Sequence, residues 1–330
     1  MIDDPVITNL KCYPSDTEPL VSVLVPSYNH QKYVIECLES IKNSNYLKLE
    51  LILSDDGSSD ATYELADKWI QQNTGRFERA IAIRQPKNLG LVKNLQFLFD
   101  NSQGKYLTYL ASDDMLTVSG ILDRLRVLDK NDDLDAVFGN CQLISESGSI
   151  LREQFLAPDI TEAFASKKLL PCALIRFWGP GGPIMMLRRA SILEGGSLGR
   201  LPEDLKFEDR YIYIRLAAQG KLRFMNCVVA KYRIVENSLS RSPLFAKVER
   251  QGLLSSDKKN QYLLTGLNKL YLQIEIAKSD VAIHKRHNLT YPLIKLFWTI
   301  NSGLLWRALY QWNRLSEKMR FLFRRRAMKV

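Results

Sequence analysis

VSVLVPSYNHQKYVIECLESIKNSNYLKLELILSDDGSSD, residues Val21 to Asp60, decides the fold. The apolar run Val21–Val25 predicts a strand that ends in Pro26-Ser27-Tyr28-Asn29. An amphipathic helix follows near His30–Asn43, and a second apolar strand, Leu49–Ser54, ends in Asp55-Asp56-Gly57-Ser58. In a βαβ unit both strand ends open on the same edge of a parallel sheet, where ligands bind. The phosphate-cradling glycine patterns of dinucleotide and P-loop sites are missing from this turn. An aromatic ring, an amide and two carboxylates there suit a nucleoside better than bare phosphate.

Outward from this unit the rhythm repeats. A helix near Ala61–Gln72 leads to a strand at Ala80–Arg84, the turn Asn88-Leu89-Gly90 and a helix to about Asn101. A strand at Lys105–Leu110 ends in Ala111-Ser112-Asp113-Asp114, and a helix near Val118–Leu128 and a strand at Ala136–Leu143 follow. Short apolar strands alternating with helices predict an α/β domain with a mainly parallel, Rossmann-like sheet. After about residue 145 the pattern loosens, up to Gly179-Pro180-Gly181-Gly182-Pro183. Beyond it the pattern predicts a strand at Ile184–Leu187, a helix from Phe207 to Gln219, a strand from Leu222 to Tyr232, and helices from about Pro243. Residues 1–19 are polar and proline-containing, and lack the basic and apolar regions of a signal peptide.

The composition, 46% hydrophobic and 25% charged over 330 residues, is that of a globular chain able to bury a sizeable core. Its five cysteines are scattered, without paired spacing, and read as reduced core thiols of a cytosolic protein. The net charge of +10 is localised. Residues 281–330 hold eleven Lys or Arg and the single acid Glu317, so residues 1–280 are neutral overall. Such asymmetry points to an anionic partner for the tail, a membrane surface or nucleic acid.

Three clusters carry chemistry. Asp113 and Asp114 follow an apolar strand at the same edge as Asp55 and Asp56, where adjacent carboxylates hold a divalent cation that grips a diphosphate. A capped, solvated turn is the plainer reading. Glu208 and Asp209 open an amphipathic helix, either as anions favoured by its N-terminus or as a general base; Glu203-Asp204 is a rival pair. Lys93 and Asn94, one turn into their helix, either face the ligand edge or lie on a solvated face.

Taken together, VSVLVPSYNHQKYVIECLESI, LILSDDGSSDAT, NLGLVKN, YLASDDML and FEDRYIYIRLAAQGKL resemble the family 2 glycosyltransferases, in the family's order and spacing, over roughly Val21 to Ser240. GGPIMMLRRASILEGG is similar to the family's acceptor-side segment, placing Gly181 and Gly182 there. The resemblance implies a GT-A fold and inverting sugar transfer. It implies that Pro26, Tyr28, Asn29 and Asp56 line the nucleoside pocket, with Lys93, Asn94 and Asp113 near the nucleotide. It assigns Asp114 to Mn²⁺ or Mg²⁺ and Asp209 to the catalytic base, with Glu208 beside it. Two positions depart from the family pattern. Ala111 stands where the metal motif often begins with Asp, and Val235 stands where a His often approaches the diphosphate.

The expected organisation is a catalytic domain at 1–240, with a nucleotide-sugar half at about 20–115 and an acceptor half at about 116–240, then a helical basic region at 241–330. The longest uncharged run of the tail, Leu296 to Trp306, is 11 residues. A spanning helix needs about 20. Trp298, Trp306, Trp312 and Phe321 among Arg and Lys instead suit helices lying in a lipid interface, with Arg324-Arg325-Arg326 drawn to anionic lipid. The expected partners are a UDP-sugar donor, a polyprenyl-diphosphate-linked oligosaccharide acceptor and the inner face of the cell membrane, and not nucleic acid. The expected setting is bacterial surface-polysaccharide synthesis of the O-antigen or capsule type. A nucleotidyltransferase would carry a Gly-rich loop after the first strand, which Pro26-Ser27-Tyr28-Asn29 is not. A membrane-bound nucleotide-sugar-binding scaffold without turnover is the other alternative.

Overall fold

The computed structural model describes residues 18–177, 181–193, 195–235 and 245–283, together with Gly303, Leu304, Trp306, Arg307, Tyr310 and Gln311. Strands β1 (Val21–Ser27), β2 (Leu49–Asp55), β3 (Arg79–Arg84) and β4 (Tyr106–Tyr109) alternate with helices α1 (Val34–Lys42), α2 (Thr62–Asn73) and α3 (Leu91–Asn101). All seven residues of β1 and of β2 are buried, as expected of strands covered by helices on both faces. β1 pairs in parallel with β2 and β4, and β2 with β3. The three connections therefore deliver the ends of β1, β2 and β4 to one edge.

Beyond β4 the sheet is mixed. Its order is β3-β2-β1-β4-β8-β6-β9-β5, with β7 (Ile150–Arg152) paired to β6. β8 (Met185–Arg188) runs antiparallel to both β4 and β6 (Ala136–Ile144), and β6 is parallel to β9 (Leu222–Arg233). β5, the two residues Met115–Leu116, pairs antiparallel with β9. Only residues 110–114 separate β4 from β5 in the chain, yet four inter-strand steps separate them in the sheet. Four flat steps span about 19 Å. Six fully extended residue steps reach only about that far, and the segment is not extended, since the Asp114 N–H donates to the Ala111 carbonyl at 2.9 Å. The sheet must curl, which brings its far edge back over the end of β4.

The loosely patterned region also holds two helices, α5 (Pro158–Ala165) and α6 (Leu170–Arg176). Both begin with proline in the first turn, where the missing N–H costs nothing. α6 packs against α7 (Asp209–Ala218) and α5 against β9, while α4 (Gly120–Asp129) covers β6, β8 and β9; α8 (Phe245–Asn260) and α9 (Gly266–Ile283) pack beyond. Leu264, Tyr271, Leu272 and Trp306 belong to the same apolar cluster as β6, β8 and α7. Trp306 is 9% exposed, edge-on to Phe177 at 5.1 Å. This indole therefore packs on the protein body and is not available to a lipid interface. Trp298, Trp312, Phe321 and the arginine triplet lie outside the described residues. No helix among the described residues is long and apolar enough to cross a membrane.

Where β8 diverges from β4, the fully buried Arg124 of α4 fills the gap. Its guanidinium donates to the carbonyls of Pro183 and Met185 and to Thr108 Oγ1, at 2.7 to 3.2 Å. Burial without an acidic partner holds its pKa down at about 10. The Gly181–Pro183 turn is thereby fixed from beneath.

Candidate active site

Three loops meet at the ends of β1, β2 and β3. Asn29 is left-handed at φ 54°, a conformation asparagine tolerates better than most residues. Its N–H donates to Ser58 Oγ at 2.8 Å, and its side-chain carbonyl accepts the Ser59 N–H at 2.9 Å. Asp55 accepts the Ser58 N–H at 2.9 Å and its hydroxyl at 2.5 Å. Asp56 accepts the N–H groups of Leu89 at 2.7 Å and Gly90 at 2.9 Å, so both its oxygens brace the third loop. Burial nevertheless raises its pKa, against those two donors. Gly57 sits at φ 75°, where a Cβ would come 3.1 Å from the Lys87 and Asn88 backbone. Pro26 is buried at the end of β1, while Tyr28, two residues on, is 45% exposed.

Asn94 and Lys93 fall differently. Asn94 is buried and spends its amide on Ser54, accepting its hydroxyl at 2.6 Å and donating to its carbonyl at 3.0 Å. It brackets α3 to the end of β2 and supports the pocket without lining it. Lys93 is half exposed, with its ammonium 3.3 Å from Glu203.

The second cluster lies where β4 turns into β5. Asp114 is buried, and its Oδ1 accepts the Arg233 N–H at 2.8 Å. Its pKa is pushed well up, by burial first and then by the charge of Asp113. Asp113 Oδ2 lies 3.7 Å from His30 Nε2, whose Nδ1 pairs with Ser112 Oγ at 2.8 Å. The Arg233 guanidinium ties the turn together. It donates to the carbonyls of Asp113 at 2.8 Å and Glu146 at 2.7 Å and to Glu36 at 2.6 Å, and it lies over the Tyr33 ring. Neither His30 nor Arg233 stood out in the sequence. The signal for Arg233 was its place at the end of a long strand; for His30 it was adjacency to Tyr28-Asn29.

Two adjacent acids, with Asp114 buried and disfavoured as a free anion, fit a divalent cation, since they offer the hard oxygen donors that Mg²⁺ and Mn²⁺ prefer. No group of three or more His, Cys, Asp or Glu able to hold a metal occurs among the described residues. Phosphate oxygens and water could supply further ligands.

The third cluster opens α7. Burial and the charge of Asp209 raise Glu208 to about 8, and its buried Oε2 has no hydrogen-bond partner among the described residues. Burial raises Asp209 to about 6, against the Arg210 N–H and guanidinium, which favour the carboxylate. The two acids titrate as a pair, sharing one proton near neutrality. The rival pair points elsewhere: Glu203 meets Lys93, and Asp204 meets Lys259 at 2.8 Å. Tyr109, at the end of β4, is buried with no partner for its hydroxyl among the described residues, and its pKa is raised by burial and by Glu208. Tyr213 of α7 donates to the Gly181 carbonyl at 3.1 Å, which sets Gly181 and its neighbour Gly182 over the first turns of that helix.

Tyr232 of β9 joins the second and third clusters. Its phenol is pushed up by burial and then by the charges of Asp114, Asp113 and Asp209, so one ring lies in the field of both acid groups. The loop cluster thus meets the Asp113-Asp114 turn through His30, and that turn meets the Glu208-Asp209 pair through Tyr232. That arrangement can hold a nucleoside diphosphate and deprotonate a hydroxyl beside it.

The comparisons with known proteins agree with this geometry. The family model described as "Glycosyl transferase family 2" matches residues 22–192. A curated E. coli relative named as UDP-Glc:alpha-D-GlcNAc-diphosphoundecaprenol beta-1,3-glucosyltransferase WfgD is 25% identical over 238 residues, 70% of this chain and 83% of the relative. The crystal structure of S. aureus TarS 1-349 in complex with UDP-GlcNAc superposes with a TM-score of 0.57 at 15% identity, covering 90% of this chain and 92% of that one. The mannosyltransferase PcManGT from Pyrobaculum calidifontis, in complex with GDP-Man and Mn²⁺, gives 0.58 at 17% identity, covering 92% and 85%. At those identities the two structures establish the shared fold.

Proposed function

The chain belongs to glycosyl transferase family 2, and from that premise we propose that it moves a sugar from a UDP-sugar to a hydroxyl of a lipid-linked glycan with inversion at the anomeric carbon. The observation that carries the reading is strand β9, whose Arg233 donates to Asp114 Oδ1 and to the Asp113 carbonyl and which packs against α7, the helix that Asp209 opens. A donor diphosphate at the first pair would place its sugar toward the second.

In this scheme Tyr28 stacks on the base, Pro26 and Asn29 shape its pocket, and Asp56 both braces the loops and accepts from the base edge. Asp113 faces the ribose, and Asp114 holds Mn²⁺ or Mg²⁺. The cation, when bound, offsets the charge that develops on the departing diphosphate. Lys93 adds to this only by leaving Glu203. The acceptor, seated against Gly181 and Gly182, presents a hydroxyl to the Asp209 carboxylate. Asp209 takes the hydroxyl proton as the oxygen attacks the anomeric carbon and the C1–O bond to the nucleoside diphosphate breaks on the opposite face. A single displacement inverts that centre. Near neutrality Glu208 keeps the pair's proton, which leaves Asp209 the base. Turnover then falls as the pH drops through about 6.

The UDP and lipid-linked parts rest on WfgD, whose name carries both. Among the wider matches, a Campylobacter jejuni relative is also named for a PP-undecaprenol acceptor. Residues 1–240 do the chemistry in this reading. The basic residues of 281–330 hold the enzyme at the inner membrane surface, where such acceptors reside. The test is calorimetry of UDP, GDP, TDP and CDP with and without Mn²⁺, on the wild type and on Asp114→Ala, followed by transfer assays with the matching sugar nucleotides. Metal-dependent UDP binding weakened by Asp114→Ala is expected. A preference for GDP would replace the donor, and no nucleotide binding would overturn the reading.

A further inference from the structure

Arg210, immediately after Asp209, makes the most deeply buried ion pair among the described residues, and its partner comes from the C-terminal region. Its Nε and Nη2 donate to the two oxygens of Asp257 on α8 at 2.8 and 2.9 Å, with the two side chains 4% and 2% exposed. The rest of the guanidinium faces the Leu174 and Ile175 carbonyls near the end of α6, at 3.3 to 3.4 Å. Two further contacts from α8 fall close by. Asn260 Nδ2 donates to the Tyr211 carbonyl at 3.0 Å. Gly252 lies so close to Phe207 that a Cβ would come 2.6 Å from the ring. One helix thus grips Phe207, Arg210 and Tyr211, on both sides of Glu208-Asp209.

A buried ion pair adds little net stability, because desolvating two charges offsets their attraction. Its geometric effect is larger, since a bidentate arginine–carboxylate pair fixes direction as well as distance. We infer that α8 is a working part of the active site: Asp257, acting through Arg210, is a positioning residue that sets where the Asp209 carboxylate faces and keeps a cation beside it. The inference rests on Asp209 being the base, as proposed above. The charged and titratable groups around Asp209 are Glu208 and Arg210 on its own helix, Glu249 on α8, and the phenols of Tyr109, Tyr213 and Tyr232. Arg210 is the cation among them.

The experiment uses the full chain, with donor KM, kcat and the pH dependence of kcat for the wild type, Asp257→Asn, and the double variant Arg210→Met/Asp257→Leu. The double variant removes both charges together, an exchange that buried pairs commonly tolerate without unfolding. Its acid limb is expected to move up, since the Arg210 charge favours the Asp209 carboxylate. In Asp257→Asn, kcat is expected to fall about tenfold or more through misplacement of the base. Donor KM stays within about twofold in both, because the interaction serves the transition state. An unmoved acid limb in a folded double variant would overturn the inference, as would an unchanged kcat in Asp257→Asn. Asp209→Asn is the separate control: full turnover there would remove the base itself, whatever α8 does.

Discussion

Glu208→Gln should stabilise the protein, and more so as the pH rises. Glu208 is buried, its Oε2 has no partner among the described residues, and its pKa is raised from 4.5 to about 8 by burial and by Asp209. A carboxyl whose pKa is higher folded than unfolded contributes its full stability below the unfolded value and loses it as the pH rises through the folded one. Each tenfold in the proton equilibrium is worth about 1.4 kcal/mol. For this raise, the wild type loses about 3 kcal/mol between about pH 5 and about pH 8 from this group alone. Glutamine keeps the shape and cannot ionise, so the gap in favour of the variant should open over that interval and stay small at its acid end. Urea unfolding followed by circular dichroism at the two ends measures it. A gap that is the same at both would mean that Glu208 ionises as an ordinary surface glutamate, and the account of the acid pair would fail with it.

Arg233→Met should weaken Mn²⁺-dependent UDP binding about tenfold to a hundredfold, the usual cost of losing a group that orients metal-binding carboxylates. Unchanged calorimetry would show that the Asp113-Asp114 turn holds without it. Tyr28→Ala should cost about 1 to 3 kcal/mol of UDP affinity if the exposed ring stacks on the base, and titration with UDP and with uridine checks this. Trp306→Ala should destabilise the protein by about 3 kcal/mol in the absence of lipid, as for other buried aromatic truncations. An unaltered unfolding midpoint would mean that the indole is not docked in solution.

Strands β1 to β4 and their helices were legible because each has an unbroken apolar run and a polar end. The same runs located Tyr28, Asp56, Asp113 and Asp114 at one edge. The far half was harder to read. β5 has two residues and β7 three, too short for any period to show. α5 and α6 have eight and seven residues, between prolines and polar turns, and their helicity comes from packing. Lys93 and Asn94 look equivalent in sequence, yet one is half exposed beside Glu203 and the other is committed to Ser54. No local rule separates two neighbours on one helix when their partners come from other elements. Trp306 shows the same limit: an aromatic among arginines suits lipid or a protein groove equally, and Phe177 decides it.

Arg233 and Tyr232 explain why the site needs the whole curl of the sheet. β9 pairs with β6 along most of its length, and Cys141 to Ile144 lie beside Ala230 to Arg233. On its other side it pairs with β5, the two residues directly after Asp113-Asp114. The end of β9 is therefore held from both directions. It carries one residue that fixes the acid turn and one that reaches the field of Asp209. If β9 slipped by a single residue, side-chain alternation would exchange the faces of Tyr232 and Arg233. Asp113 and Asp114 would lose their brace, and Tyr232 would leave the field of Asp209. The two acid clusters belong to segments nearly a hundred residues apart. In the proposed mechanism, what makes them one site is the register of a strand that itself takes no part in the proton transfer.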